Sequence, residues 1–166
     1  MEESMDSLGD AISRWNHRPT PQQRTAVRHA LSRLFDDLAP MGAPPRGAAR
    51  PVGPVERHRS PDGCILQSST NAVSVSWFAA GDSEAAFGEL VVLHWRGVVS
   101  RPGSARRERP GAVVLQQMTL RPVEVEPTVW AWQGTDETRY ECDGLADHCR
   151  DLLVEHAVAR TAVAAD

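Results

Sequence analysis

Glu89-Leu90-Val91-Val92-Leu93-His94-Trp95-Arg96-Gly97-Val98-Val99-Ser100 is the longest apolar run in the chain, and how it is read decides the fold. A bilayer span takes about twenty apolar residues, so the run is too short to cross one. It is rich in Val and carries a His and an Arg, which favours a sheet strand covered on both faces over a helix. A central strand is therefore expected here, and the rest of the chain reads as what surrounds it.

Strand patterns extend on both sides of this run. Pro61-Asp62-Gly63 is a turn signal, after which residues 64–68 and 72–78 read as a hairpin closed at Ser69-Thr70-Asn71. Downstream, residues 101–110 are polar and bounded by prolines, as in a hairpin tip, and residues 111–121 form another long strand. Val-Glu-Val-Glu between Pro122 and Pro127 alternates in the manner of an edge or a bend. Residues 128–133 and 138–142 complete four to six antiparallel strands. Asp143 is placed to cap a closing helix with Leu145, Cys149, Leu152, Leu153 and His156 on one face.

The amino-terminal part has a different texture. Met5, Leu8, Ile12 and Trp15 recur at helical spacing up to Asn-His-Arg-Pro, residues 16–19. Thr20-Pro21-Gln22-Gln23 combines a cap, a proline suited to the first helical position and a Gln able to complete a capping box. A helix over residues 21–38 follows, with Leu31 and Leu34 on its apolar face. Residues 39–62 are rich in Pro, Gly and Arg and read as a linker. The expected organisation is α+β: a helical hairpin over 1–38, a Pro-rich linker over 39–62, and a curved antiparallel sheet with a C-terminal helix over 63–166. The order is loosely like the helix-grip arrangement of hydrophobic-ligand binders, a likeness of topology and not of sequence.

Composition excludes more than it assigns. With 166 residues, 41% of them apolar, the chain can fill one core but not two full domains. All eighteen basic residues are Arg, which fits a GC-rich bacterial coding sequence better than selection for phosphate binding. The net charge is −4 and positive charge concentrates in the predicted loops, so nucleic acid is not the expected partner. The acidic start, Met-Glu-Glu-Ser-Met-Asp, does not read as a secretory signal, and no apolar span suggests a membrane segment; a cytoplasmic protein is expected. Three Cys, at 64, 142 and 149, fit reduced thiols in that compartment.

Chemistry-bearing patterns are weak. Cys149 and His156 lie seven apart on a helix, about 10 Å of rise, too far to share one ion. No metal or other cofactor is therefore expected. His94 could act as a base toward Cys64, Ser74 or Ser76, but no nucleophile motif surrounds any of them. Glu124, Glu126 and Glu141 could pair as acid and base, though the first two read more simply as the solvated face of an edge strand. The tryptophans are more informative. Indoles gathered on one sheet face read first as a core packed under the helices; otherwise Trp95, Trp130 and Trp132, with His94 and Gln117, are the candidates for a lined pocket or an interface. Leu8, Ile12, Trp15, Leu31 and Leu34 form the candidate interaction stripe.

A non-catalytic protein-interaction or adaptor protein, with self-association through the helical hairpin, is the reading these features favour. The alternative is a small apolar ligand held in a pocket under the sheet, with or without an unmarked enzymatic step.

Overall fold

The computed structural model describes residues 18–38, 55–80, 87–99 and 111–163, with side chains to residue 153. One helix, α1 (Pro21–Asp37), is followed by seven strands: β1 (Glu56–Ser60), β2 (Gly63–Gln67), β3 (Asn71–Ala79), β4 (Gly88–Arg96), β5 (Val113–Glu126), β6 (Val129–Gly134) and β7 (Arg139–Tyr140). A second helix, α2 (Cys142–Val163), ends the described chain. The strands form one antiparallel sheet in sequence order, β1 to β7, so every connection joins neighbours. The α+β class expected from the pattern is what forms.

Local chemistry sets the start of α1. The Thr20 hydroxyl accepts the Gln23 N–H at 3.2 Å, and the Thr20 N–H donates to the Gln23 side-chain oxygen at 2.9 Å, a reciprocal capping box with Pro21 in the first turn. The other end has no basic residue in its last turn. Its carbonyls are met from elsewhere: Arg57 on β1 donates to the Phe35 carbonyl at 2.6 Å, and Arg150 on α2 donates to that of Asp37. Arg59 also pairs with Asp36. Guanidinium groups at a helix C-terminus satisfy orphan acceptors and complement the dipole, so three elements are tied together at one point.

Both helices lie on the same face of the sheet. Val27, Leu31, Leu34 and Phe35 of α1 and Leu145, Cys149 and Leu153 of α2 share one buried cluster with Leu66, Val73, Val75, Leu90, Val92, Leu120 and Trp132 of the strands. Alternation along β4 sends Leu90, Val92 and His94 into this layer and Val91, Leu93 and Trp95 to the other face.

Several boundaries differ from the sequence reading. Seven strands form where four to six were expected, because Glu56-Arg57-His58-Arg59-Ser60, inside the segment read as linker, is β1. Pro61-Asp62 is the turn of the β1–β2 hairpin, with Ser60 opposite Gly63. A strand without an apolar alternation left no periodic signal; as an edge it needs none, and its charges discourage further pairing. The central strand ends at Arg96 because Gly97 turns away at φ +106° and donates to the Thr70 carbonyl at 2.6 Å. Residues 123–126 continue β5 through Pro122 instead of forming a separate piece. Leu120 is the last residue of β5 paired with β4, so a missing N–H at Pro122 costs no ladder bond on that side. Helix α2 begins at Cys142, one residue before the expected cap. Residues 1–17, with Leu8, Ile12 and Trp15, and residues 39–54 lie outside the described residues.

Leu31 is 7% exposed and Leu34 is fully buried, so these two members of the interaction stripe sit in the core and not at a seam. Leu34→Ala is expected to cost about 2–5 kcal/mol of stability through the cavity it leaves. Leu31→Asp with Leu34→Asp should abolish the cooperative thermal transition, since two carboxylates would be desolvated without partners. Circular dichroism melts check both; a double variant that still melts like the parent would remove α1 from the core.

Candidate functional site

The five residues expected to gather do not share a face. Trp132 is 1% exposed and packs edge-on against Trp77, with ring centroids 6.0 Å apart at 72°. Trp130 is half-buried in the same layer and meets Phe87 at 5.2 Å and 70°. His94 also points into the helix layer and is 5% exposed. Trp95 and Gln117 lie on the opposite face, Trp95 half-buried and Gln117 exposed. The indoles at 130 and 132 are core aromatics in the sheet–helix interface.

Parity separates His94 from both serines, and distance along the sheet separates it from Cys64. Ser74 and Ser76 project to the face away from His94, and Cys64 lies opposite Val75, two residues along β3 from the Val73 that faces His94. Of the three glutamates, Glu124 accepts the Thr128 N–H at 3.2 Å within the β5–β6 turn, and all three are exposed. Among the described residues no group of three His, Cys, Asp or Glu is placed to hold a metal ion, and no helix is long and apolar enough to cross a membrane. His148 leans on the Tyr140 ring at 5.3 Å, whereas Cys149 is fully buried.

Two features remain as candidate surfaces. The first is the outer face of the sheet, over which no described helix lies. Three cross-strand rows build it: Gln67–Ala72–Trp95–Val114, Ile65–Ser74–Leu93–Gln117 and Gly63–Ser76–Val91–Thr119. Small residues on β3 leave room for Trp95, whose indole N–H donates to the Ser74 hydroxyl at 2.9 Å. This explains why Ser74 is only 8% exposed. Phe78, 59% exposed, stands at the other end, next to Glu89, which accepts two N–H bonds from Arg121 at 2.8 and 3.1 Å.

One edge of this face is fixed by a polar clamp. The Gln67 amide donates to the carbonyls of Ser68, Asn71 and Gly97 and accepts the Val99 N–H at 3.0 Å. A single buried side chain thereby holds the β2–β3 turn and the chain leaving β4 in one arrangement. No motif in the sequence marks Gln67; its partners at Gly97 and Val99 are backbone groups 30 and 32 residues away.

The second feature is a cleft of about 540 Å³ between α1 and the ends of β1 and β3, lined among others by Arg24, Arg28, Arg59, Asp62, Trp77 and Phe87. Of the residues singled out from sequence, Leu31 lines it. Signals were present in retrospect: Arg24 and Arg28 are four apart, one helical turn, beside the apolar stripe.

Comparison with protein-family models, with curated proteins and with solved structures finds no match to this chain.

All three thiols are held above their ordinary value of 9.0. Burial pushes Cys149 up to about 12, with the neighbouring Cys64 adding to the rise and Arg150 opposing it. Burial also raises Cys64, opposed by the nearby Arg57 guanidinium, and Cys142, opposed by the neighbouring Trp132 indole. Groups that keep their protons longer when folded contribute stability that is complete below pH 9.0 and is lost as pH rises toward the folded values. The melting temperature should fall as pH is raised through about 9 to about 11, and Cys149→Ala should flatten that slope. Ellman titration of the native protein at about pH 8 should label the thiols only at the rate of unfolding, because the thiolate is the reactive form; prompt labelling would contradict the burial.

Proposed function

We propose that this chain is a non-catalytic interaction protein and that its outer sheet face is the contact surface, with a second copy of the chain as its occupant. The observation that carries this reading is Trp95. It stands with Val91, Leu93 and Ile65 on a face that no described helix covers, and its only donor is already satisfied within the chain. Burying it demands no acceptor from a partner, so a dry apolar surface suffices. The Glu89–Arg121 pair compensates its own charge, and the three central rows from Gln67 to Thr119 carry no charged residue, a patch able to meet a second copy about a twofold axis. Two sheets can pack face to face in this way at about 10 Å.

Self-association through the helical stripe finds less support, since Leu31 and Leu34 already serve the core.

Light scattering during size exclusion checks the reading. The protein should run at twice its 18.2 kDa mass, and Leu93→Asp with Trp95→Arg should return it to a single copy with an unchanged far-ultraviolet spectrum, because a charge at the centre of such an interface is desolvated without a partner. An 18.2 kDa species for the parent at about 100 µM would defeat the second copy as occupant. A dimer insensitive to both substitutions would place the contact elsewhere.

A further inference from the structure

We infer that the cleft between α1 and the β1–β2 turn is a binding site for a small aromatic carboxylate, independent of the outer sheet face. Its floor is apolar: Val27, Leu31 and Phe35, three positions of one helical stripe, are 3%, 7% and 2% exposed. Its mouth is cationic. Arg24 and Arg28 project from the same side of α1 and make no ion pair among the described residues, while Arg59 approaches from β1 and is already joined to Asp36. Asp62 is the one carboxylate among the described lining residues. A protein of net charge −4 thus presents Arg24 and Arg28, beside the self-compensated Arg59–Asp36 pair, against the single acid Asp62 over an apolar pit.

The remaining wall is aromatic and rigid. Trp77 is held by its edge contact with Trp132, and Phe87 by its contact with Trp130. The backbone is fitted to them: Gly88 has φ +121°, and a Cβ there would come within 2.8 Å of the Trp77 ring and 2.3 Å of the Phe78 carbonyl. Glycine lets β4 begin directly beneath the indole.

These parts define the ligand by chemistry. A guanidinium fork recognises a carboxylate through two parallel N–H donors, a geometry that a buried apolar body positions but cannot replace. Flat aromatic walls favour a planar body over a flexible chain. A volume of about 540 Å³ lies within the range of small-molecule sites. The carboxylate sits between Arg24 and Arg28 at the mouth, and the ring lies between Trp77 and the α1 stripe.

The test uses 2-naphthoate as probe, with 2-naphthalenemethanol as the uncharged comparator and acetate as the anion without a body. Calorimetry follows affinity, and the indole N–H resonances of Trp77 and Trp95 in a ¹⁵N spectrum follow location. Saturable binding of one naphthoate, with a shift at Trp77 and none at Trp95, is expected, both comparators being at least about tenfold weaker. Arg24→Gln with Arg28→Gln should weaken naphthoate about tenfold while leaving the melting temperature unchanged, since both side chains are exposed. No binding up to about 1 mM, equal affinity for the alcohol, undiminished binding by the double variant, or a shift at Trp95 in place of Trp77 would each overturn the assignment.

Discussion

The last turn of α1 is the constraint on which the rest of the molecule depends. Leu34 and Leu38 are both fully buried, so this helix end packs into the core, where its carbonyls are partly shielded from water. Buried acceptors without donors would be costly. The donors come from Arg57 on β1 and Arg150 on α2, one before the sheet meander and one after it. The polar edge strand therefore has a structural reason to exist: it carries a guanidinium to a helix end that has no basic residue of its own.

This dependence marks where sequence is informative. The start of α1 is a local matter, decided among Thr20, Pro21 and Gln23, and is legible to the residue. The end of α1 and the existence of β1 are decided jointly by groups more than twenty residues apart, and no periodicity reports them. Strand positions from β2 to β6 were legible because apolar residues recur with turn residues between them. Their facing was not. In β4 both alternating sets, Leu90, Val92, His94 and Val91, Leu93, Trp95, are largely apolar, so alternation alone leaves open which set meets the helices. Grouping the tryptophans on one face follows naturally from that ambiguity and is undone by it: Trp95 falls opposite Trp130 and Trp132.

The candidate sites were missed for a related reason. Dense aromatic residues suggest a pocket from sequence, but on the helix side they are what fills a sheet–helix interface; Trp132 is nearly inaccessible because it succeeds as core. The cleft opens instead beside α1, between its exposed arginines and the ends of β1 and β3. Gln67 shows the same limit for polar residues, since nothing in its own neighbourhood distinguishes a buried clamp from a surface amide.

A strand apolar on both faces has to account for both. One face of β4 meets the helices, while Val91, Leu93 and Trp95 keep only partial exposure on the other, sheltered by their cross-strand neighbours and by the bond from Trp95 to Ser74. If this second set only needed to be soluble, polar residues at 91, 93 and 95 would serve β pairing as well, as Gln117 and Thr119 do on β5 opposite Leu93 and Val91. Apolar residues at all three positions, next to polar ones on the neighbouring strand, are the pattern on which the proposed contact surface rests. The cleft answers to a different requirement, charge over an apolar floor, and it lies on the helix side of the sheet. Occupying one surface leaves the other free, so binding at the cleft and contact through the outer face do not compete for the same residues.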